Sequence, residues 1–397
     1  MRSTIAQRPP VGDTRAMEAN QTTTQAAKKS RGKNFRFYDN RQKYLMFVNT
    51  CSEKRIVAER VLKIMETLTP RPPALRFFDA GVGDGSVLTR VLRGLHQRFP
   101  RFPLYIGAKE ISLEDIRLTL EKMPDRFFEH PEMVLALTNL PYATAPWLSP
   151  AAVWHDVALT GTTSAEFERQ IVALQPFLDA NWRTRPDPAT NRLLPETPAV
   201  VVLYRQDCRF LLDHVIPRQG EARADFDLVL ASQPYRLRAD VRFKAAKVLA
   251  PLARALGPGG RLLGIHSAGH DPGIEIVRRV WPHEDPFLTS RDELLAATGD
   301  ALGGEAGAFE FDALPEQDAL FRYDMHTLPD EIDSEAATIG TSTLLAAWNA
   351  ATYVAQIDDE RLSQAMSSSA YLEATRAVLR QHGALWFNDE SFLISRP

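Results

Sequence analysis

The stretch Leu75 to Leu95, LRFFDAGVGDGSVLTRVLRGL, constrains this chain more than any other. Leu75, Phe77 and Phe78 form the short apolar run of a buried parallel strand. Asp79-Ala-Gly81-Val-Gly83-Asp-Gly85-Ser86 follows, and then Val87, Leu88, Val91, Leu92 and Leu95 recur at helical spacing. Strand, glycine turn and helix together aim backbone N–H groups and the positive end of a helix dipole at a ligand. Glycines in such a turn let ligand and backbone approach closely.

The details of the turn narrow the ligand. A dinucleotide fingerprint has Gly or Ala at the sixth position of G-x-G-x-x-G, where the helix packs on the strand. Here Ser86 holds that position and the third glycine comes one place early. Asp79, two places before the first glycine, suits a cationic or hydroxylated ligand better than a pyrophosphate. Asp79, Gly81, Gly83 and Gly85 resemble the first motif, D/E-x-G-x-G-x-G, of the class I S-adenosylmethionine (SAM)-dependent methyltransferases. That resemblance implies SAM as cofactor, its amino-acid part held at Asp79 and the glycines.

Composition sets the outer bounds. With 397 residues the chain can hold one elaborated domain or two. A net charge of −3 is not that of a chain built to hold a polyanion. Cys51 and Cys208, the two cysteines, offer neither a disulfide framework nor metal-ligand spacing. No apolar run reaches the roughly 18–20 residues of a membrane span, and the start lacks a secretory signal's apolar core. A cytoplasmic protein without a metal is expected.

Residues 1–32 are rich in Thr, Gln, Ala, Arg and Pro, and read as a disordered tail. Lys28 to Lys43 carries seven Lys or Arg against one Asp, interleaved with Phe35, Phe37 and Tyr38. Such a segment is either a solvated lead-in or a nucleic-acid contact. Residues 33–70 then predict a helical extension broken near Asn49–Ser52, with Ser52 as N-cap of the second helix. A helix in this position often closes over the cofactor in the methyltransferases, which makes Tyr38 and Tyr44 candidate lid or substrate-binding residues.

Leu104 to Glu110 reads as a second strand ending in an acid. Glu110 lies about 25 residues past the last glycine, near the spacing at which an acid meets ribose hydroxyls in the dinucleotide folds. Ser112 should cap the next helix. Met133 to Tyr142 is a third strand and its exit. Asn139-Leu-Pro-Tyr142 resembles the N-[DNSP]-P-[YF] motif of amino-directed methyltransferases, particularly the rRNA adenine dimethyltransferases. That motif belongs after the fourth strand, however. At the third, Thr138 and Asn139 are expected to line the adenine pocket and Tyr142 to face the acceptor.

Residues of about 146–220 read as an insertion carrying loops over the active-site face or decorating the surface, with Ala199–Leu203 as either strand or helix start. Phe226 to Tyr235 is an apolar strand emerging into Ser232-Gln-Pro-Tyr235. A helix from Lys244, the turn Gly257-Pro-Gly-Gly260 and the strand Arg261–His266 follow. This succession resembles the fourth and fifth strands of class I methyltransferases, which makes Gln233 and Tyr235 the candidate catalytic pair. Ala384 to Arg396 reads as the closing strand or hairpin of the sheet.

The expected fold is therefore α/β, a doubly wound Rossmann-like sheet of seven strands, mostly parallel with an antiparallel last strand. It would occupy residues 71–397, after the N-terminal extension. The expected function is methyl transfer from SAM to a small-molecule acceptor, an amine being one candidate. Transfer to RNA or protein and non-catalytic SAM binding are the alternatives; a nicotinamide-dependent oxidoreductase is disfavoured by Ser86 and Asp79. A positioned sulfonium donor needs little more than alignment and exclusion of water.

Overall fold

The structure, a computed structural model, describes residues 41–188, 193–326 and 339–397; Tyr38 and the basic segment up to residue 40 lie outside them. Among the described residues ten strands form one sheet. Its centre is five parallel strands: β1 (Leu75–Asp79), β2 (Leu104–Lys109), β3 (Met133–Thr138), β6 (Phe226–Ser232) and β7 (Leu256–Ser267), in the order β3–β2–β1–β6–β7. Leu75, Phe77 and Phe78 of β1 are fully buried, as a strand covered on both faces requires. Burying each such side chain contributes roughly 1.5–3 kcal/mol.

β10 (Trp386–Ser395), the last strand in the chain, runs antiparallel beside β7. β8 (Glu310–Asp312) and β9 (Leu320–Asp324) share its outer edge. The closing strand has thus slipped between the fifth strand of a doubly wound sheet and the sixth position at its edge. This is the predicted mostly parallel sheet with an antiparallel last strand.

The opposite edge departs from expectation. Residues 153–159 and 199–205, inside the predicted insertion, are the strands β4 (Val153–Leu159) and β5 (Ala199–Arg205). β5 pairs antiparallel with β3, and β4 runs parallel to β5. Ala199–Leu203 is therefore a strand, and its residues are fully buried. The insertion supplies two of the three strands by which the ten-stranded sheet exceeds the seven expected, and Leu320–Asp324 is the third.

Helices cover both faces. α1 (Arg41–Thr50) and α2 (Glu53–Met65) form the N-terminal pair, and α3 (Ser86–Arg98) follows the glycine turn. α2 and α3 pack on one face, with Val57, Val61, Val91 and Leu95 in a shared core. α4 (Leu113–Glu121) is capped as predicted, the Ser112 hydroxyl accepting from the Asp115 amide at 3.2 Å. Ser52 does not cap α2; its hydroxyl accepts from the Asp324 amide and ties α2 to β9. α5 (Thr341–Val354) brings Tyr353 against Phe47 of α1, ring centroids 4.9 Å apart, and so braces the N-terminal pair.

Candidate functional site

The strand order reverses between β1 and β6, and in open α/β sheets ligands bind outside the carboxyl ends of the strands at such a point. A cavity of about 300 Å³ opens there. The exits of β1, β2 and β6 line its floor with Asp79, Gly81, Gly83, Glu110, Gln233 and Tyr235, while Tyr44 of α1 and Tyr353 of α5 form the other wall. Tyr142 joins them from the exit of β3. Eight of the residues singled out in the sequence thus meet in one place, although they are spread from 44 to 235.

The glycine turn works by backbone geometry. Gly83 and Gly85 have φ of +54° and +76°, which only glycine adopts at no steric cost. A Cβ on Gly85 would stand 2.9 Å from the Thr119 hydroxyl and 3.0 Å from the Thr119 Cα, so this glycine lets α3 and α4 meet. Gly81 is different: a Cβ there would touch nothing. Its free space belongs to the cavity.

Two carboxylates flank the turn. Asp79 is 3% exposed, and its Oδ1 accepts from the Gly81 amide at 3.2 Å. Burial raises its pKa from an ordinary 3.8 to about 7, against the pull of that hydrogen bond and of Lys54. Glu110 is held more firmly. Its Oε1 accepts from the Ile111 and Ser112 amides at 2.7 and 2.8 Å, and its Oε2 from the Gly83 amide at 3.0 Å. Each carboxylate oxygen offers about two acceptor sites, so Oε2 keeps one for a ligand.

Further charged groups at the cavity were not foreseen in the sequence. Lys54 on α2 pairs with Glu53 at 3.1 Å. Burial alone would lower its pKa, but Glu53, Tyr353 and Asp84 outweigh burial and hold it charged. Asp84, inside the turn, accepts from Tyr44, Ser86 and Lys122. Burial opposes its ionisation, yet Ser86, Lys122 and Lys54 keep its pKa below the usual range. Lys109, the last residue of β2, is 9% exposed and holds its Nζ 4.6 Å from the Tyr142 ring centroid. Its signal was legible as a cation closing the apolar run LYIGAK; those of Lys54 and Tyr353 were not, because their elements meet the cavity only in the fold.

Thr138 and Asn139 are used otherwise than expected. The Thr138 hydroxyl donates to the Ala199 carbonyl at 2.9 Å. The Asn139 amide nitrogen donates to the Asn181 and Thr197 carbonyls, and its oxygen accepts from the Ala199 amide at 2.8 Å. These groups fasten β5 to the end of β3; neither residue lines the switch-point cavity, while Asn139 lines the larger chamber described below. Tyr142 donates to the Pro234 carbonyl at 3.0 Å, joining the two Pro-Tyr loops.

Gln233 and Tyr235 reach the cavity wall with constraints of their own. Gln233 has φ +47°, uncommon for a residue with a side chain. Its amide nitrogen donates to Ser267 at 3.1 Å and to the buried Asp389 at 3.3 Å. The Tyr235 ring lies edge-on to His266 and 5.2 Å from the Lys244 ammonium, and its hydroxyl is buried without a hydrogen-bond partner among the described residues. Tyr235, Tyr142, Lys109 and Arg236 also face a second, larger chamber of about 710 Å³.

Fold and cavity together define a doubly wound α/β protein with a cofactor-sized site at its switch point, the architecture of the class I methyltransferases that the glycine motif resembles. No protein-family model matches the chain, and no curated protein matches it. Solved structures similar to it include a Galdieria sulphuraria protein provisionally assigned as a sarcosine dimethylglycine methyltransferase. It is 10% identical, with a TM-score of 0.35 over 87% of this chain and 85% of that one. Geranyl diphosphate methyltransferase in complex with SAM gives 13% identity and a TM-score of 0.32, over 86% and 84% of the two chains. PKMT2 from Rickettsia typhi in complex with AdoHcy gives 12% and 0.29, over 85% and 52%. Among the described residues no helix is long and apolar enough to cross a membrane, and no group of side chains could hold a metal ion.

Proposed function

We propose that this chain is a class I SAM-dependent methyltransferase acting on a small-molecule acceptor. The observation that carries the reading is Asp79, a buried carboxylate at the end of β1, beside a glycine whose missing Cβ leaves open space. Burying an acid with a single backbone hydrogen bond is costly unless a cation completes it. SAM brings both an ammonium and a sulfonium.

In this assignment Asp79 binds the ammonium and Lys54 the carboxylate of the cofactor's amino-acid part, while the free site on Glu110 Oε2 takes a ribose hydroxyl. Ile111 contributes apolar surface at the same rim. SAM supplies an activated methyl group that leaves the sulfonium as the acceptor's lone pair attacks. The chain's own work is to align the two partners and exclude water. Tyr44 and Tyr353 close one side of the cavity, and Tyr142 and Tyr235 stand between it and the larger chamber. That chamber, concave and adjoining, supports a small-molecule acceptor.

Incubation with methyl-labelled SAM beside extracted small molecules, RNA and protein tests the reading. Label in the small-molecule fraction is expected. Label confined to RNA or protein would overturn the acceptor assignment, and absence of both transfer and SAM binding would overturn the whole.

A further inference from the structure

The two adjoining spaces differ in charge. The cofactor cavity is lined by Asp79, Asp84, Glu110, Glu114 and Asp115 against Lys54, Lys109 and Arg236. The larger chamber reverses the balance, with Lys109, Arg236, Arg238, Lys247 and Arg361 against Asp358. Arg238 and Arg361 both pair with Glu284, so they contribute less than their number suggests. Asp358 is occupied as the cap of a helix, accepting from the Arg361 amide at 3.0 Å.

Lys109 decides the character of the chamber. It is nine-tenths buried at the boundary of the two spaces, its ammonium over the face of Tyr142. Among the described residues no oxygen accepts a hydrogen bond from it, although the Glu110 carboxylate beside it attracts its charge. Burial lowers the Lys109 pKa and Glu110 offsets this only in part, so a further anion placed against the ammonium would offset the rest of the cost. Most of the remaining wall is apolar, with Leu140, Leu193, Leu194, Phe243 and Val248, and Asn139 and Gln356 add two neutral polar side chains.

The geometry points to an acceptor that is an amphiphilic anion, an apolar body carrying one carboxylate or phosphate that Lys109 receives, rather than an amine. A protonated amine would meet a surplus of cations there, and its lone pair, the nucleophile, would be blocked by the proton. An anionic oxygen needs no base: its lone pair forms the new bond to carbon while the carbon–sulfur bond breaks, and the charges of sulfonium and anion cancel. This inference rests on the methyltransferase reading for its chemistry, but the chamber's ligand preference can be measured without turnover.

The test uses the full chain titrated with octanoate, octyl phosphate, octylamine and octanol, with and without S-adenosylhomocysteine. Octanoate or octyl phosphate should bind at least about tenfold more tightly than octylamine, and the better of the two identifies the head group. Lys109→Met should weaken that binding about tenfold and leave octanol unaffected. Lys247→Met, at an exposed position, should weaken it severalfold. Octylamine binding as tightly as the anions, or anion binding indifferent to both substitutions, would overturn the inference. S-adenosylhomocysteine binding without anion preference defeats the chamber assignment alone; anion preference without S-adenosylhomocysteine binding defeats the cofactor assignment alone.

Discussion

Glu110 accepts the backbone amide of Gly83 at 3.0 Å, so one carboxylate joins the end of β2 to the glycine turn after β1. The same group that faces the ribose position also shapes the loop under the amino-acid position. Glu110→Ala therefore removes the acceptor for three backbone amides, two of them 2.7 and 2.8 Å away. It should cost roughly 2–4 kcal/mol in urea unfolding and weaken S-adenosylhomocysteine at least about tenfold. An unchanged affinity in the folded variant would remove Glu110 from the site.

The glycines of the turn should separate into two roles. Gly81→Ala adds a methyl group to open cavity space, so the melting temperature should stay within about 2 °C while cofactor affinity falls. Gly85→Ala forces a side chain into φ +76° and against the Thr119 backbone, so it should destabilise by about 2 kcal/mol or more. Thermal unfolding with and without ligand distinguishes the two.

Asp79 makes both stability and binding depend on pH. Its folded pKa of about 7 stands above the ordinary 3.8, so between these values the folded chain keeps a proton that the unfolded chain has lost. Stability from this group therefore falls as pH rises from about 4 to 7 and stays low above 7. Asp79→Asn should stabilise the ligand-free protein at pH 8 by roughly 1–3 kcal/mol, and leave it nearly unchanged at pH 4. A cation stabilises the carboxylate, so SAM affinity should rise by up to about tenfold per pH unit below 7 and level off above it. The variant should lose this slope.

Asn139 answers a different question. It satisfies two carbonyls and one amide where β5 is fastened to β3. Asn139→Ala should cost about 2–4 kcal/mol, yet the folded remainder should bind S-adenosylhomocysteine with near wild-type affinity. Selective loss of cofactor binding at full stability would return this residue to the adenine pocket.

The behaviour of Asn139 shows where sequence reading stopped. β1, the glycine turn and α3 were legible because their apolar spacing and positive-φ glycines are local properties. The same holds for β6, β7 and the capping Ser112. The hydrogen bonds of Asn139 and Thr138 were not legible because their partners are residues 181, 197 and 199. These lie in an insertion whose Ala199–Leu203 run reads as strand or helix start without revealing that it lies beside β3. Asp79, Glu110, Tyr44 and Tyr142 do reach one cavity. Lys54 and Tyr353 complete it from α2 and α5, elements that no spacing rule relates to the turn. Tyr38 lies outside the described residues.

Calorimetric titration with SAM, S-adenosylhomocysteine and NADH, beside Asp79→Asn, tests the central claim most directly. Micromolar binding of the first two, no binding of NADH and at least about tenfold weakening in the variant are the predicted results. Preference for NADH, or SAM binding indifferent to Asp79, would contradict the assignment of this cavity to a sulfonium cofactor.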